Sequence, residues 1–144
     1  MLQISYKTLL QKLKDTARGS VTVSTKRSTD HVSFLRAGRN GDLVPQERAQ
    51  PQGKARGFLT RFGGVLGVAN ADTDLVQVSA TTDQLGATHI TYEQRYRGLR
   101  VYGGVLKAHV DAAGNLTAVN GTIVPNIDLG TNPRLSARQA TARA

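Results

Sequence analysis

The sequence predicts an α+β domain in which an amphipathic helix packs on an antiparallel β-meander, with a short N-terminal helix before it and the start of a C-terminal helix after it. Three observations carry that expectation. Ile90, Tyr92, Gln94 and Tyr96 recur at period two with Thr91, Glu93 and Arg95 between them, the alternation of a half-buried strand. Ala55, Phe58, Leu59 and Phe62 recur at i, i+3, i+4 and i+7, the stripe of a helix with one apolar face. Arg97-Gly98-Leu99 and Asp111-Ala112-Ala113-Gly114-Asn115 then reverse the chain between three apolar runs, since glycine accepts the positive φ of a tight turn.

In chain order, Leu9, Leu10, Leu13 and Ala17 lie at helical spacing after Ser5, a candidate N-cap, and Gly19 can close that helix. Val21 to Ser24 reads as a short strand, Lys26 to Asp30 as a turn, and His31 to Arg36 as the partner strand, with Val32 and Phe34 alternating toward the core. Between Ala37 and Gln52 the composition shifts to Gly, Pro, Gln and charge, which reads as a long mobile loop. The central helix is expected from about Ala49 to Gly64. Lys54, Arg56 and Arg61 sit off its apolar stripe, and the Gly63-Gly64 to Gly67 region ends it.

Leu75, Val76 and Val78 open another strand, which Thr81 to Ala87 breaks. In the meander's second strand, Val101, Tyr102, Val105, Leu106, Ala108 and Val110 are interrupted by Gly103-Gly104, the mark of a bulge or a close backbone approach. Asn120-Gly121 in the third strand reads as a bulge rather than a hairpin, because the flanking pieces are too short to gain much from pairing. Pro125 cannot donate to a ladder and ends that strand. Near the C-terminus, Ser136 with Gln139 three residues on forms a capping box.

Gln94-x-Tyr96-x-Gly98-x-x-Val101-Tyr102-Gly103, then Leu106-x-x-His109-Val110-Asp111-x-x-Gly114-Asn115, then Val119-Asn120-Gly121-x-x-Val124-Pro125, resembles the fungalysin/thermolysin propeptide domain. The resemblance covers roughly residues 32–129. It implies a cystatin-like fold and a place in the pro-region of a secreted zinc metallopeptidase, with the mature catalytic domain of the same precursor as partner. It also implies action as an intramolecular chaperone and inhibitor with no catalysis and no cofactor. Gln94, Tyr96, Gly98, Val101, Gly103, His109, Gly114, Asn120, Gly121 and Pro125 are then structural members of the motif. Pro133-x-Leu135-Ser136-Ala137-x-x-Ala140 resembles the opening of the PepSY domain that follows in such pro-regions. The expected organisation is therefore 1–30 as helix and first strand, 31–129 as the propeptide domain, and 130–144 as a truncated PepSY start. Met-Leu-Gln-Ile-Ser-Tyr-Lys is not a signal peptide, so this reading expects the chain to be a fragment of an exported precursor.

Composition narrows the chemistry. The chain has 144 residues, 39% apolar, and no cysteine, so it has no disulfide or thiol chemistry. No apolar run approaches the ~18 residues of a membrane span. The three histidines form no His-Glu-x-x-His motif, and His89 and Glu93 at i and i+4 of a strand stand ~13 Å apart, so no metal site is expected. His31 and His109 lie at no metal-ligand spacing from another histidine, and His109 is expected to make a structural hydrogen bond on or near the sheet. Gln94 is expected to bond a backbone group across the sheet. Gly64-Val65-Leu66-Gly67 matches a KH phosphate-clamping loop by letter, but Val and Leu inside it point to an apolar turn.

Twelve Lys and Arg stand against four acids in residues 1–61, which carry +8 of the net +9. Lys26, Arg27, Arg36 and Arg39 are the expected partner contacts, acting mainly on association. The rival reading is a free-standing basic module for nucleic acid or an anionic surface. It ranks second because the propeptide-like motif is the more specific signal.

Overall fold

The structure, a computed structural model, describes residues 6–26 and 31–124. In chain order the elements are α1 (Tyr6–Thr16), β1 (Val21–Lys26), β2 (His31–Ala37), α2 (Pro51–Phe62), α3 (Ala71–Asp74), β3 (Leu75–Thr82), β4 (Thr88–Tyr96), β5 (Leu99–Val110) and β6 (Leu116–Thr122). Every strand pairs antiparallel with its neighbours in one six-stranded sheet of order β1-β2-β6-β5-β4-β3. The expected meander is β4-β5-β6, and the expected N-terminal hairpin joins it through β2 and β6.

Helix α2 starts on Pro51, whose fixed φ suits a first turn and whose missing N–H is not needed there. Its Ala55, Phe58, Leu59 and Phe62 are buried as the periodicity predicts. A 3-10 turn over Gly63–Leu66 extends it, burying Val65 and Leu66 before Gly67 reverses the chain at φ 98°. The Gly-x-x-Gly stretch is therefore an apolar turn. Leu13 of α1, Leu35 of β2, Phe58 of α2, and Tyr92, Leu106 and Leu116 of the meander are almost fully buried in one core.

Four expectations are corrected. Phe34 does not share the core with Val32: the ladder pairs Ser24 with Phe34 but Thr25 with Val32, so Ser33 is the extra residue of a bulge. Beyond that bulge the alternation changes phase, burying Leu35 and Ala37 and leaving Phe34 half-buried. Tyr96 is also only half-buried, stacked under the Arg97 guanidinium, and Tyr92 takes the central place against the core. A helix of α2's 12 residues covers about 18 Å while the 12 residues of β5 reach about 40 Å, so the hairpin end carrying Tyr96 overhangs the helix layer.

The third correction is the segment before α2, which is tied down rather than loose. Asp42, Leu43 and Val44 are buried within it. The Asp42 carboxylate accepts Val44 N–H at 3.0 Å and Leu116 N–H at 3.2 Å, and Lys54 Nζ donates to its other oxygen at 2.6 Å. Lys54 also donates to the Glu47 carbonyl at 2.9 Å. Lys54 thus sits on the buried face of α2 that the apolar stripe assigned to other residues. The fourth correction is Asn120-Gly121, which lies in unbroken register with Lys107 and Leu106. A Cβ on Gly121 would stand 2.9 Å from the Leu106 Cα, so the glycine permits a close backbone approach and makes no bulge.

Candidate functional site

One face of the sheet is covered by α2 and its 3-10 extension; the other carries the polar partners of the alternation. Register lines up Thr81, His89, His109, Ala118 and Arg36 in one row across β3, β4, β5, β6 and β2. In that row His89 and His109 face each other with Nδ1 atoms 2.7 Å apart, their rings edge-to-face with centroids at 5.0 Å. His89 Nε2 lies 2.8 Å from Asp83 Oδ2 in the β3–β4 loop. His109 Nε2 lies 2.7 Å from Asn120 Oδ1 on β6. The hydrogen bond from His89, with backbone N–H donation from Ala87 and Leu85, holds the Asp83 carboxyl below the ordinary carboxylate range. This four-residue chain spans two hairpins. His109 therefore makes the expected structural bond, but it also has a partner that spacing along the sequence could not reveal.

Gln94 bonds backbone as expected, and in a specific way. Its Nε2 donates to the Val124 carbonyl at 2.9 Å while Val124 N–H donates to its Oε1 at 2.8 Å. A primary amide can replace one residue of an antiparallel strand in this manner, since it carries a donor and an acceptor side by side. Gly104 makes room: a Cβ there would stand 2.6 Å from the Gln94 Cβ. The Gly103-Gly104 pair is thus both irregular and closely approached, because Gly103 sits at φ 81° and the β4–β5 register shifts at Gln94.

Tyr96 pairs with Leu99 across a two-residue turn in which Arg97 has φ 49° and Gly98 φ 81°. Two positive φ values in a row match the twist of the hairpin they close. Gly114 takes φ 89° in the next reversal, Val101 is half-buried, and Asn120 serves His109. Pro125 lies outside the described residues, as do Arg27, Ser5, the Ser136–Gln139 box and the PepSY-like stretch.

The proposed contact residues are not brought into one cluster. Lys26 pairs with His31 at one end of the β1–β2 hairpin, where its Nζ donates to Thr122 Oγ1 at 3.3 Å. Arg36 pairs with Thr22 toward the other end, about 13 Å along the strand, and Arg39 follows in the exposed turn. The exposed large apolar side chains Val76, Val78, Leu85, Leu99 and Tyr102 all lie on the β3-β4-β5 side of the sheet. Sequence reasoning did not separate this apolar half from the basic one. Among the described residues, no group of three or more His, Cys, Asp or Glu side chains is placed to hold a metal ion, and no helix is long and apolar enough to cross a membrane.

The exposed apolar residues all fall within the stretch that matches a known family model. Residues 73–123, from α3 through β6, match the model of the Fungalysin/Thermolysin Propeptide Motif. That stretch is similar to a thermolysin-type propeptide motif. Proteins named "Thermolysin" from Alicyclobacillus acidocaldarius subsp. acidocaldarius and from Bacillus caldolyticus are each 47% identical to this chain over 66 residues, 44% of its length and 12% of theirs. "Thermostable neutral protease NprT" from Geobacillus stearothermophilus is 44% identical over 79 residues, 54% of this chain and 14% of its own. The chain therefore spans about an eighth of the length of the curated relatives it matches. No solved structure matches it. The propeptide motif is built on β3 to β6, so its glycines and Gln94 are the residues that fix the meander's irregular points.

Proposed function

We propose that this chain is part of the pro-region of a secreted thermolysin-like zinc metallopeptidase precursor, in which it serves as a non-catalytic folding assistant and inhibitor of the catalytic domain. The observation that carries this reading is the match to the propeptide motif over residues 73–123, whose meander buries Ile90, Tyr92, Leu106 and Leu116 in the core. The physical requirement is a stable scaffold with a complementary face. A domain that binds the native protease fold and not its unfolded states shifts the folding equilibrium by mass action, and the same bound face blocks the enzyme. No reactive side chain is needed for either task.

Basic residues on the β1–β2 side, among them Lys26, Arg36 and Arg39, would steer association with an acidic face of the partner. The test is refolding of the separately produced catalytic domain with and without this chain, with binding kinetics at two ionic strengths. The expected result is a higher yield of active protease, inhibition of its peptidase activity, and association that slows with salt while dissociation barely changes. No binding at tens of micromolar, combined with salt-steep binding to generic RNA or DNA at about one power of salt per phosphate contact, would assign the chain to the basic-module reading instead.

A further inference from the structure

The tip of the β4–β5 hairpin stands clear of the rest of the sheet. The β3 ladder stops at Gln94 and the β6 ladder at Val105, so residues 95–104 project with no neighbouring strand on either edge among the described residues. A two-stranded hairpin alone is marginal in water. This one also carries a wide bulge: Glu93 pairs with Val105 and Arg95 with Arg100, so Gln94 alone stands opposite residues 101–104. Bulges re-aim side chains, and here Tyr102 is turned outward, 79% exposed, with Leu99 of the same strand 58% exposed. The base of the bulge is fixed. Gly103 takes φ 81°, Gly104 lies against Gln94, and Gln94 is bonded to Val124. Tyr102 is therefore presented by a clamped backbone.

The same tip is cationic. Arg95 and Arg100 face each other across the strands, and Glu93 bonds them at 3.0 and 3.3 Å. Arg97 adds a third guanidinium, stacked over the Tyr96 ring. Three guanidiniums against one carboxylate leave the tip at +2, with the Arg100 side chain 64% accessible.

We propose that this tip is the contact that holds the catalytic domain, with Tyr102 and Leu99 entering an apolar pocket whose rim carries Asp or Glu side chains that pair with Arg97 and Arg100. The inference rests on the function proposed above and divides the labour: the basic β1–β2 side steers the encounter, and the hairpin tip sets how long the complex lasts. Tyr and Arg are the side chains that most often dominate protein interfaces, and a ring presented by a rigid backbone loses little freedom on docking. Charge argues against a second copy of this chain as the occupant, because two such tips would bring guanidiniums together. A lipid surface fits less well, since Leu99 and Tyr102 bury less apolar surface than a single acyl chain, which itself anchors only marginally. Single-stranded nucleic acid would find one free ring to stack on, Tyr96 being covered by Arg97.

The test is binding kinetics of the full chain on the catalytic domain encoded in the same reading frame, with phosphatidylglycerol vesicles and a single-stranded DNA oligonucleotide as two further probes. Tyr102→Ala and Leu99→Ala should each speed dissociation from the catalytic domain at least about tenfold, with association changed less than about twofold. Tyr102→Phe should stay within about threefold of the parent, because the ring carries the contact. Neutralising Lys26, Arg36 and Arg39 should show the opposite split, slowing association and sparing dissociation. Thermal melts of Tyr102→Ala should match the parent, since an exposed side chain is removed. Parent-like dissociation in folded Tyr102→Ala and Leu99→Ala would overturn the contact and leave the propeptide reading standing. A parent chain that does not bind the catalytic domain would overturn both. Tyr102-dependent binding to the vesicles or the oligonucleotide, with dissociation from the catalytic domain unmoved, would reassign the tip to that surface.

Discussion

At either end of the central strand β6 a polar side chain does the work of a strand, and the two differ in a way that teaches how each end is stabilised. At the β6 start, the Asp42 carboxylate takes backbone N–H groups of Val44 and Leu116 and is neutralised by Lys54 inside the core. At the β6 exit, the neutral Gln94 amide exchanges a reciprocal pair of bonds with Val124. The charged latch binds a long irregular segment across three elements, but each ion had to leave water. The amide gives up far less solvation and holds a single residue. Removing one partner of the ionic latch strands a buried charge, whereas removing the amide exposes two backbone groups near the surface.

The largest effect is expected from Asp42→Ala or Lys54→Ala, either of which should cost about 3–5 kcal/mol and much of the cooperative transition in urea. Replacing both at once, Asp42→Asn with Lys54→Met, should recover most of that loss, since no unpaired ion remains. Phe62→Ala, beneath the same helix, should cost a similar ~3–5 kcal/mol by leaving a cavity, while Tyr96→Ala on the overhang should cost less than ~1 kcal/mol. Equal melting temperatures for the Phe62 and Tyr96 variants would mean that the helix does not end where the structure places it.

Gln94→Ala sharpens the comparison from the other end: it should cost about 1–3 kcal/mol, clearly less than Asp42→Ala. A smaller effect is expected at the hairpin turn. Gly98→Ala should destabilise by about 1 kcal/mol, and Arg97→Gly should stabilise slightly, because both positions need positive φ.

Tyr92→Phe is the smallest. The Tyr92 hydroxyl is buried without a hydrogen-bond partner, so its removal should leave the melting temperature unchanged or raise it. Burial also raises its titration above the ordinary tyrosine range. The folded state therefore keeps a proton that the unfolded chain gives up, and stability is lost as pH rises above about 10, toward the raised folded value. Thermal melts at alkaline pH should show a shallower decline for Tyr92→Phe than for the parent.

The regular parts were legible because their signals are local. The stripe of α2 and the alternation of β4 come from neighbouring residues answering to one face, and Gln94 could be assigned to backbone because a buried amide has few alternatives. What was missed depends on residues far apart in the chain. The Asp42–Lys54 latch looks like ordinary loop and helix-surface charge until Leu116 is brought to it. His89 finds His109 only once the β4–β5 register is set. Phe34 was misplaced by one inserted residue, Ser33, because a bulge inverts every side chain after it. α3 has four residues and is held by its Asn70 cap, too short for any periodicity to register.

The pairing of β2 with β6 has a consequence for the order of assembly. Phe34 meets Asn120 about 85 positions along the chain, whereas β3 to β6 are joined by short reversals. Closing a loop of that length costs entropy before any contact repays it, so the neighbouring strands should form first and the N-terminal hairpin should dock last. Folding kinetics would then divide the molecule: substitutions such as Leu106→Ala should slow folding, and Leu35→Ala should chiefly speed unfolding. The stretch that forms early is the stretch carrying the propeptide motif, and the basic N-terminal third is a late addition to a sheet already built.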